Sequence, residues 1–115
     1  MIKIWFKSTC STCRTALSLI REESDDEISI VEYTVNVPTQ KDIKEVLKML
    51  GLKAEDIVRK KEELYKKKFA NKKLSNSEWI KVLVKNPILI ERPIVIRDGK
   101  AIIGRPATKV LEIFK

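Results

Sequence analysis

Two cysteines, Cys10 and Cys13, stand at C-x-x-C spacing in the stretch IWFKSTCSTCRTAL, and the chain has no others. A close pair of this kind suits a redox couple, half of a metal site, or one working thiol with a neighbour. A structural zinc site wants four ligands, mostly Cys and His, and this chain offers two cysteines and no histidine, so the sequence points to no metal site. The missing imidazole also removes Cys-His and Ser-His-Asp catalysis. What remains is a thiol activated by its surroundings. A free cysteine with a pKa near ~8.5 is about 3% thiolate at neutral pH; lowering it to ~6 gives about 90% thiolate and takes roughly 3.4 kcal/mol. Cys10 precedes the expected first turn of a helix, where free N–H groups and the positive dipole end favour a negative sulfur. It is the nucleophile candidate. Cys13, about one turn further in, reads either as a resolving thiol or as a small buried hydrophobe.

Lysine heavily outnumbers arginine, so the position of each arginine carries information. Arg59 follows a short helical pattern, Arg92 immediately precedes Pro93 and an apolar run, and Arg105 immediately follows another. A planar, permanently charged guanidinium suits multidentate contacts to an oxyanion, although each arginine taken alone also reads as a surface residue. Arg92-Pro93 is an X-Pro bond of the kind that takes the cis form in tight structural positions. The stretch RKKEELYKKKFANKK, Arg59 to Lys73, has the charge for nucleic acid, but only Tyr65 and Phe69 interleave its cations. Both suit the apolar side of an amphipathic helix, and a solvated basic face is the simpler reading.

Several elements must position these residues. Ile2, Ile4 and Phe6 alternate with Lys3 and Trp5 as a strand does, and Ala16, Leu17, Leu19 and Ile20 then recur at helical spacing. Ile28, Ile30, Val31 and Tyr33 make a second β-rich run, so the first third reads as a βαβ unit with parallel strands. The middle is helical. Thr39 with Asp42 opens a helix that Gly51 closes; short helices are expected around 54–58 and 62–69; Ser75 with Glu78 caps another that ends at Asn86-Pro87. Strands return at Ile94–Ile96 and Ala101–Ile103 around an Asp98-Gly99 hairpin turn. Pro106 suits the first turn of a terminal helix with Val110, Leu111 and Phe114 on its apolar face.

A chain of 115 residues with 43% apolar content suits one compact domain, spanning 1–115 with a helical insert at about 38–86. Charged residues make up 35% of it with both signs interspersed, which is a solvated surface rather than a disorder signature. The net charge of +8 favours anionic partners. No window approaches the ~18 apolar residues that span a bilayer, and the first strand lacks the features of a secretory leader. The reading is therefore cytoplasmic, with no membrane partner and nucleic acid disfavoured. A cysteine pair in that compartment is catalytic or redox-active rather than a permanent staple.

The whole chain resembles the thioredoxin-like arsenate reductases that use glutathione and glutaredoxin, and their relatives, the Spx-type regulators that bind RNA polymerase. Four separated blocks carry the likeness: TCSTCRTAL, IVRKKEELYKK, NPILIERPIVI and GRPATKVLEIF. The resemblance implies an α/β, thioredoxin-like fold with a mixed four-stranded sheet flanked by helices. It puts the catalytic cysteine at Cys10, the oxyanion-holding arginines at Arg59, Arg92 and Arg105, the cis-proline at Pro93 and a supporting arginine at Arg14. It further implies a small oxyanion such as arsenate as substrate, no bound cofactor, glutathione as co-substrate, and glutaredoxin or thioredoxin as protein reductant. Phosphatase-type reductases want C-x5-R, and here that position is Ala16. Cys13 stands where the arsenate reductases usually carry serine, and a C-x-x-C pair there is usual in the regulators. Arg105 in GRP belongs to the reductases. The alternative function is thus a redox-sensing regulator with a Cys10–Cys13 switch, and a further one is a thiol oxidoreductase acting on another oxidised sulfur compound.

Overall fold

The computed structural model describes all residues, Met1–Lys115. Four strands form one mixed sheet in the order β2-β1-β3-β4, with β1 Ile2–Phe6, β2 Ile28–Glu32, β3 Ile94–Arg97 and β4 Lys100–Ile103. Strands β1 and β2 are parallel, while β3 runs antiparallel to both β1 and β4. Helix α1, Ser11–Glu23, supplies the crossover between the parallel pair. The chain divides into two compact units, one of residues 1–36 and 92–115 and the other of residues 37–91.

In the first unit the alternation of β1 puts Ile2, Ile4 and Phe6 on one face, where they pack with Cys13, Ala16, Leu17 and Ile20 of α1 and with Val95, Val110 and Ile113. Full burial of such side chains is worth about 1.5–3 kcal/mol each before entropy is charged, so this layer dominates the unit's stability. The β3–β4 connection has Asp98 and Gly99 at φ 49° and 75°, the pair of positive values that the Asp-Gly signal anticipates. The C-terminal segment Ala107–Phe114 is a 3-10 helix. Its three-residue period buries Val110 and Ile113, whereas Leu111 and Phe114 are only partly covered. Val110 and, in part, Phe114 lie on the core side as expected, Ile113 takes the inward place expected of Leu111, and Pro106 is the N-cap residue rather than part of the first turn.

The second unit holds helices α2 Gln40–Leu50, α3 Glu63–Lys68 and α4 Asn76–Lys85, with 3-10 turns at Ala54–Ile57 and Pro87–Leu89. Thr39 and Ser75 each accept a hydrogen bond from the backbone N–H three residues on, and Asp42 and Glu78 return the bond to the cap's own N–H. Gly51 ends α2 at φ 70°. Trp79 is buried among Tyr65 and Phe69, whose rings lie 6.4 and 5.9 Å from it. No helix of the structure is long and apolar enough to cross a membrane.

Candidate active site at one end of the sheet

The register of the sheet brings distant residues to one end of it. Ile94 pairs with Ile103, and the next pair outward is bonded as well, with Gly104 N–H donating to the Pro93 carbonyl at 2.9 Å. One step further, Arg92 faces Arg105. Phe6, the last residue of β1, pairs with Glu32, the last of β2, so the Cys10 loop and Tyr33 leave the sheet at the same end. The peptide bonds Arg92-Pro93 and Arg105-Pro106 are both cis.

Cys10 is the N-cap residue of α1, and Cys13 lies in the first turn with 0% exposure. Two clamps hold the loop between β1 and α1. Ser8 N–H donates to Glu32 Oε1 at 2.9 Å, and Arg14 Nη1 donates to the Ser8 carbonyl at 2.7 Å. Arg105 Nε donates to the Arg92 carbonyl at 2.7 Å and Arg105 Nη2 reaches the Cys10 sulfur at 3.5 Å. Arg92 is 7% exposed, and its Nη1 donates to the Tyr33 hydroxyl at 3.4 Å.

Burial alone would push the Cys10 thiol up. The backbone amide and thiol of Cys13, the Arg92 side chain and the Arg105 charge outweigh it and bring the pKa down to about 7. Such a sulfur is about half thiolate at neutral pH. Cys13 is pushed the other way, to about 12, first by burial and then by the neighbouring Cys10, against the pull of the Lys7 backbone and Arg92. The two sulfurs therefore share one negative charge, held on Cys10. Burial opposes the protonated form of Arg92 too, yet contact with Tyr33 and with Cys10 raises its pKa.

Of the residues singled out in the sequence, the structure gathers Cys10, Cys13, Arg14, Arg92, Pro93 and Arg105 at this end of the first unit. Arg59 belongs to the second unit, where its N–H donates to the Leu89 carbonyl at 2.6 Å and its Nε meets Glu62 Oε1 at 3.1 Å. The antiparallel bridge between Val58 and Ile90 fixes the backbone beside it. Sequence reasoning missed Tyr33, which it read as one of a run of strand residues. The available signal was a phenol closing a β-rich run, since a buried tyrosine hydroxyl normally has a partner. It also missed Gly104, where a β-carbon would stand 2.5 Å from Val110 Cγ1 and 2.9 Å from Pro93 Cγ.

A reactive cysteine at the N-cap position of a helix, beside arginines at the end of a mixed sheet in this strand order, defines a thioredoxin-like thiol protein. The chain belongs to the ArsC family, whose family model matches residues 6–113. It is 40% identical over 114 residues to a protein of Escherichia coli (strain K12) named YfgD, covering 97% of this chain and 95% of that one. It is 37% identical to the arsenate reductase of Neisseria meningitidis serogroup B, covering 95% and 94% of the two chains. Among solved structures, the arsenate reductase from Vibrio cholerae superposes with a TM-score of 0.90 at 33% identity, covering 97% of this chain and 96% of that chain.

Proposed function

We propose that this protein is a cytoplasmic arsenate reductase in which the Cys10 thiolate attacks arsenate held by Arg92 and Arg105. The observation that carries this reading is the Arg105 guanidinium, bonded through Nε to the Arg92 carbonyl and with Nη2 3.5 Å from the Cys10 sulfur. A fork so placed offers charge and N–H donors to an oxyanion bonding to that sulfur. Arg59 is assigned to the same oxyanion by the family resemblance alone.

In the proposed reaction an S–As bond forms at Cys10 and one arsenate oxygen leaves as water. A glutathione thiolate then attacks the Cys10 sulfur; the S–As bond breaks with its electron pair going to arsenic, which leaves as arsenite, and a Cys10–glutathione disulfide remains. Glutaredoxin reduces that disulfide. The contact between the two sulfurs favours a second route, in which Cys13 replaces glutathione and an internal disulfide is returned to thiols by thioredoxin or glutaredoxin. Bonding Cys10 to arsenic removes its negative charge, and with it two of the influences that keep Cys13 protonated. The same contact would let Cys10 and Cys13 act as a redox switch in a protein that binds RNA polymerase.

The test is arsenite production from arsenate with glutathione and glutaredoxin. Wild type should turn over, Cys10→Ser should not, and Arg105→Ala should lose about a hundredfold in kcat/KM, or ~2.7 kcal/mol. Arg59→Ala should raise KM if it holds the same anion. Loss of turnover in Cys13→Ser with glutathione present selects the internal-disulfide route. An inactive wild type that retains RNA polymerase in a pull-down overturns the enzyme reading in favour of the regulator.

A further inference from the structure

Tyr33 has no part in the chemistry just described, yet it sits at the same end of the sheet. It follows the last residue of β2, the edge strand next to β1. Its side chain is 0% exposed, and its hydroxyl accepts a hydrogen bond from Arg92 Nη1 at 3.4 Å. Arg92 heads β3, on the far side of β1, so this contact passes across the end of the strand that leads into the Cys10 loop. The preceding residue, Glu32, holds the same loop through Ser8. The end of β2 thus reaches the thiol twice, once through its loop and once through its arginine.

We infer that Tyr33 is a positioning residue for the nucleophile: its hydroxyl holds the Arg92 guanidinium against the Cys10 sulfur and so sets how readily that sulfur reacts. The inference rests on the reading of Cys10 as the nucleophile. A phenylalanine would fill the same buried space, and burying a hydroxyl there is unfavourable unless it is bonded. The hydroxyl's oxygen is spent on a guanidinium. Arg92 is in turn the anchor of both cations at the sulfur, because its carbonyl holds Arg105 Nε at 2.7 Å while its own side chain is held by Tyr33.

The titratable groups facing Cys10 are Cys13 from α1, Arg92 at the head of β3 and Arg105 beyond β4. Tyr33 touches Arg92 and is not among the groups acting on Cys10 directly. The bonded route from its hydroxyl to Cys10 runs through Arg92. A role limited to filling the core makes a different forecast: removing the hydroxyl would change stability and leave the titration of Cys10 where it was.

The experiment is the pH profile of Cys10 alkylation by iodoacetamide, with the modified sulfur located by fragment mass spectrometry. Wild type should give a midpoint of about 7. Tyr33→Phe should raise it by roughly half a unit, slowing alkylation at pH 6.5 about threefold. In the Arg92→Met background the same substitution should add no further shift, because the group it acts through is gone. Should Tyr33→Phe fail to fold, biosynthetic 3-fluorotyrosine supplies a weaker acceptor of nearly the same shape, with Tyr65→Phe as the control for the other tyrosine. An upward shift that vanishes with Arg92 supports the inference. An unchanged midpoint in the folded variants, or an equal shift in the Arg92→Met background, overturns it. No arsenate enters this assay, so an inactive wild type with the expected shifts would sink the substrate reading and leave Tyr33 in its role.

Discussion

A sulfur that carries charge near neutral pH in a chain without histidine has to draw that stabilisation from amides, a thiol and arginines. The two arginines at Cys10 do this in different ways. Arg92 is buried and fixed by Tyr33, whereas Arg105 uses one N–H of its guanidinium on a carbonyl and another on the sulfur. Lysine keeps the charge and cannot hold both partners. Arg105→Lys should therefore leave the alkylation midpoint of Cys10 within a few tenths of a unit of wild type while lowering kcat/KM for arsenate by at least about tenfold, or ~1.4 kcal/mol. Turnover and midpoint both unchanged in Arg105→Lys would mean that charge alone was the contribution of Arg105.

At the scale of elements, the hairpin β3–β4 is what brings Arg92 and Arg105 face to face, and Gly104 is the residue that lets it close against the 3-10 helix. A methyl group there would press on Val110 and on Pro93 between two bonded chain segments. Gly104→Ala should cost about 1–3 kcal/mol of stability, read as a lower urea midpoint, and should reduce turnover as well, because the displaced backbone carries both arginines. Stability lost with turnover intact would mean that Val110 alone gives way. The elements themselves were largely readable. Thr39 with Asp42, Ser75 with Glu78, Gly51 and Asp98-Gly99 state their local geometry in their own chemistry. The C-terminal helix did not, because its three-residue period and the N-cap position of Pro106 are set by packing on β4 and α1 and not by an end signal in the chain.

Over the whole molecule, legibility followed distance along the chain. Cys10 and its place at a helix start were plain in a dozen residues. The convergence of Arg92 and Arg105 on it depends on strand register across some ninety residues, and only the family likeness anticipated it. Tyr33 was hidden for a related reason, since a tyrosine at the end of a β-rich run reads as core until its partner across the sheet is known. Charge is divided unevenly as well: residues 37–91 hold fourteen Lys and Arg against eight Asp and Glu, and residues 1–36 with 92–115 hold ten against eight. The thiols belong to the second, nearly balanced set, and they should give that unit its own pH dependence. Cys10, lowered to about 7, is already anionic in the folded chain while the unfolded chain still holds its proton, so stability should rise from about pH 7 to about pH 8.5. Cys13, raised to about 12, keeps its proton when the unfolded chain has lost it, so stability should fall above about pH 9. Solvent screening limits the Cys10 contribution to roughly 1 kcal/mol. The chain has two tryptophans, Trp5 in the sheet and Trp79 in α4, both buried. Urea midpoints followed through Trp5 in a Trp79→Phe variant should therefore peak between pH 8 and 9. Cys10→Ser should flatten the rising limb and Cys13→Ser the falling one; a profile unmoved by either change would mean that the two sulfurs do not divide their charge as the geometry of the site requires.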